Sequence, residues 1–330
     1  MDDLDKRILT AIQADLPLQE RPFDALAAAL GVQAGDVVRR VRRFLESRLV
    51  RRLGPVFDSR CLGYASTLVA AKVPADRLED VAARVSHLPG VTHNYERPGT
   101  YNLWFTLTAV SADDLDRTLE TLRRETGVAD LHSLPALAVY KIHVAFDLTG
   151  DPPRAPDEPA DRRRPSPVVV ALSDEQKHLV RLLQDGLPAR PEPFAAVAKP
   201  LGWPAARVIE QVREWLRTGV VRRFGAVVSH RELGYRANGM AVFRAPAAGV
   251  DQAGRLLAEF PEVSHCYRRP PLPDFPYNLY AMVHGHSEEE VRRTVVRMAD
   301  ETGLAPFDVL FSAREFKKVS MRYFEEDATR

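Results

Sequence analysis

The chain has 330 residues, of which 45% are hydrophobic, and its formal net charge is +1. This length suffices for two ordinary domains with apolar cores, and the near-neutral charge excludes an overall positive field that would draw the protein to nucleic acid. Two cysteines without metal-ligand spacing, no signal peptide and no apolar run of about 20 residues lead us to expect a cytoplasmic protein with reduced thiols and no membrane span.

The second half of the chain repeats the first. Leu62–Tyr64 returns as Leu233–Tyr235, and Glu125–Gly127 returns as Glu301–Gly303. Such a register, kept from end to end, indicates a duplicated unit, and the Pro-, Asp- and Arg-rich stretch between the two copies has the composition of a linker. We therefore predict a helical domain at 1–60, a sheet domain at 61–148, a linker at 149–167, a second helical domain at 168–231 and a second sheet domain at 232–330.

The first domain of each copy has the pattern of three short helices. Leu4, Ile8 and Ile12 recur at helical spacing, and further helices are predicted at 23–30 and 34–47. Three short helices with a turn before the third resemble a winged helix-turn-helix.

The second domain of each copy alternates strand and helix patterns in the order strand, helix, strand, strand, helix, strand. This order is the ferredoxin-like split βαβ arrangement, and it makes the chain an α+β protein. In the first copy the predicted elements are a strand at 66–71, a helix at 75–86, strands at 91–97 and 101–107, a helix at 112–126 and a last strand at 139–146.

Each sheet domain carries His, Tyr and Arg at alternate positions of one predicted strand. Alternate residues of an extended chain share one face of a sheet. A recurring polar trio on one face favours a functional site over two unrelated structural histidines. His284 and His286 lie beyond a predicted strand end, and we interpret them as loop residues. The two trios are His93, Tyr95 and Arg97 in the first copy and His265, Tyr267 and Arg269 in the second.

The domain order resembles that of the Lrp/AsnC regulators, and the motifs resemble the siroheme decarboxylases more closely. Val263–Pro270, Pro276–Tyr280 and Arg314–Lys318 are similar to one subunit of that enzyme, while His93–Arg97 and Tyr101–Phe105 are similar to its partner subunit. The resemblance covers nearly the whole chain apart from the linker. It implies a natural gene fusion of the two subunits, of the kind found in heme d1 biosynthesis.

The resemblance also implies an activity. Siroheme decarboxylases are lyases that remove CO2 from the acetate side chains at C12 and C18 of siroheme, a tetrapyrrole, to give 12,18-didecarboxysiroheme. It further implies that no separate cofactor or protein-bound metal is required, because the iron belongs to the substrate. The two copies are expected to pair within the chain, with homologous subunits of the same pathway as further partners and with neither DNA nor membrane as a partner.

Loss of CO2 from a pyrrole acetate leaves carbanion character on the side-chain carbon, and the new methyl group needs a proton. Histidine is the usual donor near neutral pH. His93 and His265 are therefore expected to donate this proton or stabilise the scissile carboxylate, although either residue could instead ligate the substrate's iron. Tyr95 and Tyr267 are expected to hydrogen-bond to carboxylates or relay protons.

A flat substrate with many carboxylates needs apolar walls and cations at their rim. The residues expected to bind the substrate are Arg97, Arg268, Arg269, Lys141, Lys317 and Lys318 as cations and Tyr101, Trp104, Phe105, Tyr277 and Tyr280 as walls.

Two other classes of function remain open from the sequence. A DNA-binding regulator of the Lrp/AsnC type would use a basic third helix in both copies. The first copy has four arginines between 39 and 43, but the corresponding stretch of the second copy, 206–215, is nearly neutral. A heme-sensing protein would bind the same tetrapyrrole without turning it over.

Overall fold

The computed structural model describes most of the chain, in the stretches 1–142, 168–229 and 234–325. The predicted linker at 149–167 lies outside the described residues, as does the 143–146 end of the strand predicted at 139–146. Within the described stretches, no helix is both long enough and apolar enough to cross a membrane.

The chain forms two compact units, and each unit combines the like domains of both copies. One unit, the helical unit, contains both helix-turn-helix domains, and the other, the sheet unit, contains both ferredoxin-like domains. The last described residues, 322–325, belong to the helical unit, whereas the second sheet domain was predicted to run to residue 330. The described residues of the helical unit are 1–63, 168–229 and 322–325, and those of the sheet unit are 64–142 and 234–321.

The first copy contains the predicted helices with clear end signals. The Asp2 side chain accepts a hydrogen bond from the Asp5 amide, and the Asp5 side chain accepts one from the Asp2 amide, which caps the first helix. Gly31 ends the second helix in the left-handed region, with φ 69°. The elements are α1 (Asp3–Ala14), α2 (Pro22–Leu30), α3 (Ala34–Glu46), β1 (Val50–Phe57), β2 (Ala65–Ala71), α4 (Leu78–Ser86), β3 (Val91–Glu96), β4 (Leu103–Ala109), α5 (Ala112–Thr126), β5 (Leu131–Pro135) and β6 (Ala138–Ile142).

The second copy has the same order of elements. Ser173 and Gln176 form the capping box of its first helix, in the place that Asp2 and Asp5 occupy in the first copy. The elements are α6 (Asp174–Gln184), α7 (Pro193–Ala198), α8 (Ala205–Thr218), β7 (Val221–Val228), β8 (Ala237–Phe243), α9 (Val250–Glu259), β9 (Val263–Arg268), β10 (Leu279–Gly285), α10 (Glu288–Thr302), β11 (Phe307–Phe311) and β12 (Arg314–Lys318).

In the helical unit the two copies are joined through their strands. β1 and β7 pair as an antiparallel two-stranded sheet, with Gly54 opposite Gly225. Aromatic rings fill the space between this sheet and the helices: the ring centroids of Phe57 and Trp215 lie 6.0 Å apart. The two helix-turn-helix domains therefore form one body rather than two independent modules.

The sheet unit confirms the predicted α+β, ferredoxin-like architecture. In the first copy the strands lie in the order β3-β4-β2-β5, and in the second copy in the order β9-β10-β8-β11. Two helices cover one face of each sheet, and apolar residues such as Val81, Phe105 and Leu119 form the core between helices and sheet.

Each copy also gives one strand to the sheet of the other. β12 pairs with β3, and β6 pairs with β9, so that each sheet has five strands. The predicted last strand, 139–146, was therefore assigned to the wrong sheet. The last strand of the first copy's own sheet is β5, which the sequence interpretation missed, and β11 is its counterpart in the second copy.

The helix-free faces of the two sheets pack against each other. Their shared apolar core contains Ala70 and Trp104 from one sheet and Met240, Val242 and Tyr280 from the other. The two copies thus pair face to face inside one chain.

Replacing Lys317 with Met is expected to lower the free energy of unfolding by about 1–2 kcal/mol. Lys317 on the exchanged strand β12 donates from Nζ to the carbonyl oxygens of Ser86 (2.7 Å) and Leu88 (2.9 Å) at the end of α4. A cation at a helix C-terminus binds carbonyls that have no partner in the helix. Urea unfolding followed by circular dichroism measures the loss. Replacing the exposed Lys72 with Met is the control, and an equal effect of both changes would contradict this anchoring role.

Candidate functional site

The predicted polar trios lie on strands that carry a β-bulge at the same place. In the first copy Val91 pairs with Leu107 and His93 pairs with Thr106, so Thr92 is an extra residue. A bulge shifts the alternation of side chains by one position and turns two neighbouring residues to the same face. Thr92 and His93 therefore both lie on the helix-free face, together with Thr106.

The second copy repeats this bulge. Val263 pairs with Val283 and His265 pairs with Met282, which leaves Ser264 as the extra residue. Val263 remains in the core beneath the helices, whereas Ser264 and His265 lie on the helix-free face. Bulges are frequent beside active sites because they redirect individual side chains.

Hydrogen bonds tie each histidine to the hydroxyl group before it. In the first copy Thr92 Oγ1 lies 2.9 Å from His93 Nδ1 and 2.7 Å from Thr106 Oγ1. The His93 amide also donates to Thr106 Oγ1, at 3.2 Å. We call Thr92, His93 and Thr106 the first station. Its imidazole is half-buried, and its Nδ1 is engaged by a hydroxyl group.

The second station, composed of Ser264, His265 and His284, is built differently. Ser264 Oγ lies 2.9 Å from His265 Nδ1 and 2.7 Å from His284 Nε2. His284 is a residue of β10, so its interpretation as a loop residue is wrong; His286 follows the end of that strand. Burial lowers the pKa of His284 to about 4, and the positive charge of Lys318 adds to this effect.

In both copies the tyrosine and the arginine of the trio lie on the same face of the sheet as the histidine, as strand alternation predicts. The ring centroids of His93 and Tyr95 lie 6.1 Å apart, and the same distance separates those of His265 and Tyr267. The guanidinium carbon of Arg97 lies 5.4 Å from the centroid of the Tyr95 ring. The imidazoles and phenols expected to take part in the chemistry are therefore neighbours in both copies.

The two arginines of the trios contact the backbone of the opposite sheet. Arg97 is 3% exposed, and its guanidinium donates to the carbonyl oxygen of Leu310 in the opposite sheet. Arg269 donates in the same way to the carbonyl oxygen of Leu134. Burial lowers the pKa of Arg97 to about 10. The arginines thus fasten the two sheets to each other, and a role of their guanidinium groups in substrate binding stays a prediction.

The aromatic residues predicted to form walls are mostly core residues. Trp104 is 1% exposed within the core shared by the sheets, and its Nε1 donates to the Tyr101 carbonyl oxygen at 2.7 Å. Tyr101 donates its hydroxyl to Asp274 at 2.7 Å. Phe105 lies on the opposite face, beneath the helices. Tyr277 is half-buried, with its ring 4.8 Å from that of Phe275.

The remaining predicted cations hold structural elements together. Lys141 on β6 donates to the carbonyl oxygen of Phe260 at the end of α9, as Lys317 does at the end of α4. Arg268 lies 3.5 Å from Asp251 of α9, on the helix side of the sheet. Lys318 pairs with His93 in the strand register and is close enough to His284 to lower its pKa.

Sequence reasoning missed Thr92, Ser264 and His284. A signal for the first two was present, because a hydroxyl residue precedes the histidine in both motifs. His284 carries no such signal, since its neighbour Ser264 belongs to another strand. Cys266, which follows His265, lies under the helices, and burial raises the pKa of its thiol to about 12.

Family models match both kinds of domain in both copies. The AsnC-like ligand binding domain matches residues 61–141 and 232–317. The siroheme decarboxylase NirDL-like HTH domain matches residues 5–51 and 176–222. Together these matches cover well over half of the chain.

Whole-chain comparisons agree with these models. The chain is 37% identical to the siroheme decarboxylase of Hydrogenobacter thermophilus, over 98% of this chain and 96% of that protein. It is 41% identical to the siroheme decarboxylase beta subunit of Methanosarcina barkeri, over 44% of this chain and 95% of the subunit. The crystal structure of the siroheme decarboxylase NirDL in co-complex with an iron-uroporphyrin III analogue superposes with a TM-score of 0.75 at 34% identity, covering 99% of this chain and 96% of that one. The chain belongs to the siroheme decarboxylase family.

Proposed function

We propose that this chain decarboxylates siroheme in heme d1 biosynthesis, removing CO2 from the acetate side chains at C12 and C18 to give 12,18-didecarboxysiroheme. The whole-length similarity to the siroheme decarboxylase of Hydrogenobacter thermophilus supports the activity. The match of a separate beta subunit to less than half of this chain supports a fusion of two subunits.

The observation that carries the proposal is the pair of bulged histidine stations on the sheets. Each station presents a half-buried imidazole whose Nδ1 is hydrogen-bonded to a hydroxyl group, with a tyrosine ring beside it. A relative with the same architecture was crystallised with an iron-uroporphyrin III analogue, an iron-containing tetrapyrrole. Two stations in one chain fit a substrate that must lose two carboxyl groups.

The reaction requires the protein to bind the substrate and to supply one proton in each decarboxylation. Each acetate breaks its bond to the carboxylate carbon, releases CO2 and leaves an electron pair on the side-chain carbon, which a proton then converts to a methyl group. In the proposal, Nε2 of His93 or His265 delivers this proton, because Nδ1 is engaged by Thr92 or Ser264. Atoms and electrons balance without an external oxidant or reductant.

Regulation of transcription is less well supported by the helical unit. The arginines of α3 are engaged within the protein: Arg40 and Arg43 pair with Asp5, and Arg42 donates to the carbonyl oxygen of Ala189. Asp5 is 4% exposed, so DNA phosphates would have to displace arginines from a buried carboxylate. Arg40 of this basic run thus serves packing, whereas the side chains of Arg39 and Arg43 stay mostly exposed.

Anaerobic incubation of the purified chain with siroheme, followed by mass spectrometry of the tetrapyrrole, tests the proposal. We expect a product that has lost one CO2 and then a product that has lost two, and NMR of the final product should show methyl groups at C12 and C18. Binding of siroheme without loss of CO2 would favour a sensor, and the absence of both binding and turnover would remove the proposed function.

A further inference from the structure

The second station contains a half-buried histidine, His284, to which the proposed reaction assigns no role. His284 lies on β10, next to β9, and its Nε2 is 2.7 Å from Ser264 Oγ. Ser264 is 5% exposed, and its hydroxyl is also 2.9 Å from His265 Nδ1. The Ser264 hydroxyl group therefore bridges two imidazoles. The carbonyl oxygen of Met282 lies farther from Ser264 Oγ, at 3.4 Å.

The burial of His284 restricts what it can do. Its lowered pKa makes the ring neutral near neutral pH, and a neutral imidazole has one donor and one acceptor nitrogen. A serine hydroxyl donates one proton and accepts others. Ser264 can therefore donate to either His284 or His265 while it accepts from the other ring. In both arrangements Nδ1 of His265 is engaged, so a proton exchanged with a substrate passes through Nε2.

Among the residues that the structure describes, the first station has a hydroxyl group where the second has the imidazole of His284. Thr92 stands where Ser264 does, but its hydroxyl continues to Thr106. The strand position of His284 is occupied by Thr108, which donates to Ser66 Oγ at 3.1 Å. A hydroxyl group can orient a neighbouring imidazole, whereas a second imidazole can also exchange a proton with the bridging hydroxyl. The two stations therefore differ in the residue that contacts the hydroxyl group beside the histidine, which is Thr106 in the first and His284 in the second. Their histidines occupy equivalent strand positions.

We infer that Ser264 and His284 are positioning residues that orient His265 for proton transfer, and that the contribution of a second imidazole is particular to the second station. The inference rests on the proposed function for its kinetic consequence. Its structural content, the hold of Ser264 and His284 on the His265 ring, stands independently of any substrate.

Replacing Ser264 with Ala is the direct kinetic test. Loss of a residue that orients a reacting group typically costs about 10–100-fold in activity, so we expect kcat to fall by this factor for one of the two decarboxylations. The singly decarboxylated intermediate should then accumulate. KM for siroheme should stay within about two-fold, because an orienting bond acts on the reacting step rather than on binding.

The first copy supplies the matched variants. Ser264→Thr installs the residue that stands at position 92, and it should restore kcat because a hydroxyl group is present again. Thr108→Val alters the position that corresponds to His284 in the first station, and kcat should be unchanged. Unchanged kcat in Ser264→Ala, or a rise in KM with no rescue by Thr, would overturn the inference.

Nitrogen-15 NMR of the histidine rings in the substrate-free chain separates this inference from the proposed function. We expect the His265 Nδ1 resonance to shift in Ser264→Ala and in His284→Phe, which keeps a ring of similar size, and to stay in place in Thr108→Val. Identical His265 resonances in all variants would overturn the inference even if the chain decarboxylates siroheme. A wild-type chain without turnover would remove the proposed function, while the resonances would still decide the positioning role.

Discussion

Replacing His265 with Ala is expected to lower the rate of siroheme decarboxylation by about 10²–10⁴-fold, the usual contribution of a general acid. The physical reason is that the carbanion formed on loss of CO2 must be protonated, and the imidazole is the group at this station whose ordinary pKa suits that transfer. His93→Ala should have an effect of the same size on the other decarboxylation. Single-turnover assays under anaerobic conditions, with separate quantification of the singly and doubly decarboxylated products, measure both steps.

The exposed residue His87, directly after α4, provides the matched control, because His87→Ala removes an imidazole from the same sheet unit without touching a station. The absorption spectrum of bound siroheme distinguishes the two roles considered for the histidines. A spectrum that changes on loss of His93 or His265 would indicate a ligand of the substrate's iron, whereas a slow variant with an unchanged spectrum would indicate a proton donor. Full activity in both alanine variants would exclude the histidines from the mechanism.

Local sequence patterns predicted the parts of the fold that depend on local physics. Helix α5 was predicted with the bounds that the structure has, because Ser111 caps its start and Gly127 ends it in the left-handed region. The shared face of His93, Tyr95 and Arg97 followed from the period of an extended strand. Neither feature depends on which other element the segment packs against or pairs with.

The exchange of β6 and β12 depends on long-range pairing, which no local pattern encodes. The residues of β6 are compatible with pairing in the sheet of either copy. The prediction therefore assigned the strand to the sheet that is nearer in sequence, whereas it pairs with β9 of the other copy. β5 contains His132, Ser133 and Pro135, which makes it a weak strand by composition. Its pairing with β2 comes from its position at the sheet edge.

The same limit explains the prediction for the arginines. Strand alternation placed Arg97 and Arg269 on the correct face, but it did not reveal that a second sheet covers the end of that face. Once covered, a guanidinium needs acceptors within the protein, and the carbonyl oxygens of Leu310 and Leu134 provide them. In the structure, Arg97 and Arg269 therefore connect the two sheets.

Replacing Trp104 with Ala is expected to destabilise the chain by about 3–5 kcal/mol, the range for removal of a large buried aromatic side chain. The indole is fully enclosed between the sheets: its ring centroid lies 5.6 Å from that of Phe275 and 6.4 Å from that of Tyr101. The change opens a cavity and leaves the Tyr101 carbonyl oxygen without its indole donor. Urea unfolding followed by circular dichroism measures the loss of stability.

Trp104→Phe is the control, because it keeps most of the apolar contact and removes only the indole N–H; it should cost about 1–2 kcal/mol. The comparison decides between the two roles that the sequence and the structure give this residue. A core residue affects stability first and leaves KM for siroheme nearly unchanged in the phenylalanine variant, since the sheets still pack. A wall of the binding site would show the opposite order: stability close to that of the wild type in Trp104→Ala, together with a large rise in KM. We expect the first result, because Met240 and Val242 of the opposite sheet share the core in which the indole is enclosed.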